Sequence, residues 1–527
     1  MSSKLMVTAF LVSVCLMAGL HEAEANAIRV ATNANDTLTF QGSAAFIEFD
    51  IAWNNSWRVS NVAPTNWDAA WIFVKYKPAS STVWHHATLA TGGHTAPTGC
   101  TIDTPSDGMG VFLYRDSDGI GDVSFPGVKL RWNLAADGVT LHEGDNMDIS
   151  VHAIEMVYIP EGTFSVGDGR ANNIQGTFEA GNTGNPFSIG SEGALTLGGT
   201  AGGNLSNNDN LDENFSWNDD DFDYATTTNL PASFPKGHQA FYCEKYESSQ
   251  GQYTAFLNKL TSAQASMHAP TADGGFGQSI GWSGTAYTSG VPDRACNFIA
   301  YTNAAAYADW AALRPMTELE FEKVCRGPLT PVALEYAWGS TDINVSFRYT
   351  YSNEGQSNET VNAVSGTGNL LTRDTDPNYN GGDNGRPCRC GIFAASFANP
   401  TREEAGATYY GVMNMAGNLG ERLVVVGHAQ GRAFQGTHGN GELTSTGYAD
   451  VSDWPGYSGG KVVSWEGGGR RGGNLTAGPT VTPPVWIATV SDRTMRQAEL
   501  TGGGSNVFMN RSRDHGCCRH VRTAPTP

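Results

Sequence analysis

The sequence predicts an α+β chain, with an N-terminal β-sandwich over residues 26–152 and a larger domain with little regular secondary structure over 153–527. Three observations carry this. Up to about Val151, apolar and polar residues alternate in short runs broken by Gly, Pro, Asn and Asp, the period of half-buried strands. Apolar residues at helical spacing stand out later, between residues 250 and 326. The chain holds 64 glycines in 527 residues and is 40% hydrophobic, which suits a globular protein rich in turns rather than a disordered one.

The first 25 residues read as a signal peptide. Lys4 supplies the positive start, Leu5 to Leu20 the apolar stretch, and Ala23-Glu24-Ala25 a small-residue cleavage site. Val14 before Cys15 is not the small residue that a lipid-anchoring signal wants. No later segment has the roughly 20 apolar residues that span a bilayer. The expectation is an exported chain without a membrane span. A formal charge of −20 argues against nucleic acid as a partner.

In the first domain, Ile47, Phe49, Ile51 and Trp53 alternate with Glu48, Asp50 and Ala52. Trp71–Tyr76, Val111–Tyr114 and Val128–Trp132 are further strand candidates, and several short strands between turn signals suggest a sandwich. Asp116, Asp118 and Asp122 are spaced like a calcium loop, but no distal glutamate follows, so a solvated hairpin turn is the better reading. His85-His86 beside Trp84 is a weak metal motif.

Residues 168–230 are a long Gly/Asn/Asp-rich stretch, expected as a polar loop insertion. Beyond it, Tyr253, Phe256, Leu257 and Leu260 form one helical face, and Ala304, Tyr307, Ala308 and Ala311 a second. Thr317-Glu-Leu-Glu320 is a capping box opening a third helix, with Phe321, Val324 and Cys325 inward. Cys100, Cys243, Cys296, Cys325, Cys388, Cys390, Cys517 and Cys518 have no zinc-ligand spacing and read as structural bridges or buried thiols.

Several segments, in order, resemble the formylglycine-generating (sulfatase-modifying factor) family. They are Met156-Val-Tyr-Ile-Pro-Glu-Gly-Thr-Phe, Lys245-Tyr-Glu247, Arg314-Pro-Met-Thr-Glu-Leu-Glu-Phe-Glu322, Arg326-Gly327, Tyr336-Ala-Trp-Gly339, Asn414-Met-Ala-Gly-Asn418-Leu-Gly-Glu421, Arg471-Gly-Gly473 and Arg519-His-Val-Arg522. The resemblance implies a variant of the C-type lectin fold. It also implies copper chemistry through a cysteine pair after the Arg-Gly-Gly motif, but Asn474 to Arg496 contains no cysteine, so no copper is expected. Calcium ligation by Asn418 and Glu421 is implied instead. An alternative is a metal-dependent oxidase with non-copper chemistry, drawing on His428, His438, His515 or His520.

Ser491-Asp-Arg493 followed by Arg519-His-Val-Arg-Thr-Ala-Pro525 resembles the variable proteins of diversity-generating retroelements, in which a C-terminal segment of this fold is a mutagenised ligand surface. Residues 490–525 are accordingly the candidate variable, ligand-binding region. Between its fixed-looking ends lie Met495, Arg496, Gln497, Glu499, Asn506, Phe508, Asn510, Arg513 and His515, a mixture without strand or helix period that suits recognition. Trp465 and Trp486 flank it as candidate ligand anchors. The sequence reading is therefore a non-catalytic binder of a protein or a surface glycan.

Overall fold

The computed structural model describes residues 28–32, 38–169, 176–207, 220–270, 277–344, 349–372, 386–473, 486–493 and 516–525. The signal peptide expected over residues 1–25 lies outside them. Among the described residues no helix is long and apolar enough to cross a membrane.

Two sheets share the N-terminal core. In one, β3 (Ala44–Arg58) sits between β1 (Arg29–Ala31) and β2 (Leu38–Gln41), and also pairs with β8 (Gly119–Arg131). The other holds β4 (Asp68–Pro78), β5 (His85–His86), β6 (Cys100–Asp103), β7 (Val111–Arg115) and β9 (Met147–Ile159). The alternation read in β3 works as expected: Ile47, Phe49, Ile51 and Trp53 point into a core completed by Ile72 and Val74 of β4 and Leu113 of β7. The Asp116–Asp118 segment is an exposed turn, as expected, but not a hairpin: it links β7 and β8, which belong to different sheets.

β4 explains its own composition. Its residues from Asp68 to Tyr76 are buried, because Ala70, Ile72 and Val74 face the first core while Ala69, Trp71 and Phe73 face a second, formed with helices of the C-terminal part. A strand covered on both sides reads as a continuous apolar run instead of an alternating one.

The second sheet does not stop at the expected domain boundary. Residue 152 falls inside β9, which pairs with β4 from Met147 to Val157 and with strand Phe241–Glu244 from Met156 to Ile159. The sheet continues through His520–Thr523, Arg314–Thr317, Glu421–Val424 and Gly468–Arg471, ten strands among the described residues. The two parts of the chain therefore share one backbone hydrogen-bond ladder.

Three helices lie where the spacing places them. α1 (Gln250–Leu257) is capped by Ser249 and Gln252. α2 (Ser262–His268), capped by Thr261 and Gln264, is an addition. α3 spans Tyr301–Trp310, and α4 (Glu318–Arg326) uses the expected Thr317/Glu320 box. The polar stretch 168–230 departs from the expected loop. Its described residues form short strands at Phe178–Ala180, Phe187–Ile189, Leu195–Leu197, Leu205–Asn207 and Thr228–Leu230, with Phe178, Ile189, Leu197 and Leu205 buried in a common cluster. Apolar residues two apart, as in Phe187-Ser-Ile189, are the signal for these strands inside a polar composition. The eight cysteines among the described residues are all buried free thiols, so none forms an expected bridge there.

Candidate functional site

Buried charge dominates the C-terminal part. The Thr317 box starts α4 so that Glu318, Glu320 and Glu322 all enter the interior, each at most 1% exposed. Buried carboxylates need partners, and arginines from distant segments supply them. Arg314 grips Glu320 through both terminal nitrogens at 2.9 and 2.6 Å. Glu322 accepts from Arg471 at 2.6 Å and Arg326 at 2.8 Å. Arg493 bridges Glu318 and Asp220, with Nε to Glu318 and Nη1 to Asp220 both at 2.7 Å, while its guanidinium lies over Phe178 at 3.9 Å.

A second cluster gathers Glu247, Asn418, Glu421, Cys517 and Arg519. Asn418 takes a left-handed backbone (φ 59) and turns its amide onto Glu247, while its side-chain oxygen accepts the Cys388 N–H at 2.9 Å. Leu419 N–H donates to Glu247 at 2.9 Å. Glu421 accepts from Arg519 at 2.7 Å and from the Cys517 thiol at 3.4 Å. Burial raises the pKa of Glu247 well above the carboxylate range, with the Glu421 charge adding to it. Burial also raises Glu421, which Arg519 pulls back.

The candidate metal ligands are thus brought together, but their oxygens already have protein partners. Among the described residues the metal-capable grouping is Glu247, Glu421 and Cys517, with ligand atoms within 4.8 Å of one another. A thiol is a soft donor, and a guanidinium at 2.7 Å neutralises one of the two carboxylates. This set does not fit a hard-oxygen calcium cage. The late histidines among the described residues have separate partners: His428 caps the turn Ala429–Arg432, His438 accepts the Thr523 N–H at 3.0 Å, and His520 lies 3.8 Å from Glu244. His86 is occupied between Lys75 and the Met109 carbonyl, which disposes of the weak His85-His86 metal motif.

The candidate ligand residues Met495, Arg496, Gln497, Glu499, Asn506, Phe508, Asn510, Arg513 and His515 lie outside the described residues. What brackets them is described. On one side Arg493 is fully buried between Asp220 and Glu318; on the other, Arg519 is fully buried against Glu421. Trp465 is half-buried against the cluster containing Val462 and Trp454, and Trp486 opens a 3-10 turn ending at Ala488.

Sequence reading missed the groups that weld the two parts together. Lys245 reaches across to Glu155 and lies 3.7 Å from Asp68, which also accepts from Trp53 and Ser56. Lys75, in the apolar run of β4, donates to the Trp310 and Gly441 carbonyls at 2.7 and 2.5 Å and faces His86 at 3.0 Å; burial pulls its pKa down to about 7. Asp309 of α3 accepts the Asn440 and Asp450 N–H groups, and burial pushes it up to about 7. A lysine inside an apolar strand run was the one available signal.

Residues 200–425 match the family model of the sulfatase-modifying factor enzyme 1-like domain. The matched span contains α1 to α4 and the Asn418/Glu421 segment. A search of curated proteins gives no match.

Proposed function

We propose that this chain, built around a sulfatase-modifying-factor domain, is an exported, non-catalytic binding protein that displays a recognition segment within residues 490–525. The supporting observation is the pair of buried anchors. Arg493 and Arg519 hold the two ends of residues 494–515 through ion pairs at 2.7 Å, each with a fully buried guanidinium. A scaffold that fixes both ends of a segment independently lets the residues between change without loss of the fold. The family domain is a scaffold compatible with catalytic and non-catalytic roles, and the absence of cysteine from Asn474 to Arg496 favours the latter here. The N-terminal sheets, packed as a sandwich-like module, serve as its mount. The ligand is a protein or a surface glycan.

Sequencing the 3′ end of the gene across close isolates tests this reading. Variation confined to codons for about Met495 to His515, with Arg493 and Arg519 constant and a near-identical template repeat nearby, is the expected result. An invariant segment without such a repeat refutes the diversified surface. The competing reading, a metal-dependent oxidase, draws on the Glu247–Glu421–Cys517 grouping. Stoichiometric metal in the purified protein, lost on Cys517→Ser, would favour it.

A further inference from the structure

A cleft of about 270 Å³ opens between the loop at residues 232–240, the Gln435–Gly436 turn, the end of strand His520–Thr523 and Glu192. We infer that this cleft is a second binding site, for a single neutral, hydroxyl-bearing ring such as one sugar residue.

The cleft walls are preorganised. The ammonium of Lys236, which has no exposure, donates to the carbonyls of Pro231, Phe234 and Glu192 at 2.8, 3.0 and 3.2 Å. The Glu192 carboxylate accepts the N–H groups of Lys236 and Gln239 at 2.7 and 2.9 Å. The loop is therefore wound around one cation and one anion, both engaged internally. Opposite, Asp453 holds the Gln435 N–H at 2.8 Å, and Gly436 (φ 77) leaves room that a Cβ would lose against Pro235. The Arg314–Glu320 pair forms the floor.

What remains uncommitted decides the ligand class. The side chains of Ser233, Gln239 and Gln435 line the cleft, are exposed, and have no hydrogen bond among the described residues. Hydroxyls and carboxamides both donate and accept, as a sugar hydroxyl does. The cations at the cleft are already committed, Arg314 to Glu320 and Lys236 to three carbonyls beside Glu192, so the charges balance and none is left to hold a phosphate, sulfate or carboxylate. The volume lies just under the roughly 300–1,000 Å³ of sites for drug-sized ligands, so one ring fits and a helix or strand does not. Ala232, Pro235 and Ala240 supply apolar surface for the ring's C–H face.

The test is calorimetric titration of the full chain with glucose, galactose, mannose and N-acetylglucosamine, and with inorganic phosphate. Saturable millimolar binding of at least one sugar is expected, weakened roughly 10-fold by the double change Gln239→Ala and Gln435→Ala, and abolished by Ser233→Trp, which fills the cleft. The melting temperature of the double variant should match the parent, because neither side chain has an internal partner. Three outcomes overturn the inference: no sugar bound up to about 100 mM, affinity unchanged in both variants, or phosphate preferred over every sugar. None of these bears on residues 494–515.

Discussion

Replacing Arg493 by Met removes the cation that two buried acids share while leaving the side chain's bulk over Phe178. In the parent, Arg493 donates to Glu318 at 2.7 and 3.0 Å, to Asp220 at 2.7 and 3.0 Å, and to the Gly176 carbonyl at 2.7 Å. Losing one member of a buried pair costs about 3–5 kcal/mol, because the survivor keeps its charge in a dry site. Both survivors here retain some support: Asp220 accepts from Asn207 at 2.6 Å, and Glu318 accepts the Val426 N–H at 2.8 Å and lies 3.7 Å from Arg471. The lower half of that range, about 3–4 kcal/mol, is therefore expected. At about 2 °C per kcal/mol for a large domain, the melting temperature should fall by roughly 6–8 °C. Tryptophan-fluorescence unfolding in urea measures the change directly. Adding Asp220→Asn to Arg493→Met removes one orphaned charge and should return about 1–2 kcal/mol. A single variant within about 0.5 kcal/mol of the parent, or a double variant worse than the single, would refute the claim that this ion network anchors the C-terminal segment.

Other expectations follow from the same geometry. Asp309, raised to about 7 by burial from an ordinary value of 3.8, contributes stability that is fully present below pH 3.8 and lost as pH rises through about 7. Asp309→Asn should therefore be less destabilising at pH 8 than at pH 4 in unfolding curves measured at both, and an unchanged difference would discount the shift. Gly441 has φ 84 and lies against the His86 ring, so Gly441→Ala should lose about 3 kcal/mol in the same assay. Because the Asn418 and Glu421 oxygens have protein partners, calcium or a chelator should leave the melting temperature unchanged to within about 1 °C; a rise of several degrees with calcium would restore the ion to this site.

The sequence disclosed elements whose signal is local. The alternation in β3, the apolar face of α1 and the capping box at Thr317 each concern residues within a few positions of one another, and all are realised. The box Thr261/Gln264 carries the same kind of local signal for α2, but with only Ala265 and His268 buried no apolar periodicity accompanies it. What stayed hidden is set by partners far apart. Glu318, Glu320 and Glu322 look like the solvated face of a helix until Arg493 and Arg471, well over a hundred residues on, are folded against them. The order Asn418-Leu-Gly-Glu421 suggested oxygen ligands, but no spacing rule announces that Arg519 will take the carboxylate. Likewise, 152 looked like a boundary because composition changes there, whereas strand pairing ignores composition and runs through it.

That continuity limits how the protein could be reused. Anyone wishing to transplant the C-terminal part onto another carrier would be tempted to start the excised piece at residue 153. The cut would sever β9 in its middle and strip α1 and α3 of the strand β4, exposing Tyr253, Phe256 and Trp310 to water. The portable unit instead includes the strands from β1 to β9, with the N-terminal sheets retained as ballast. For the same reason a circular permutant should be opened at a surface turn such as Gly459–Gly460, where a Cβ would meet nothing, and never near the seam between the two parts.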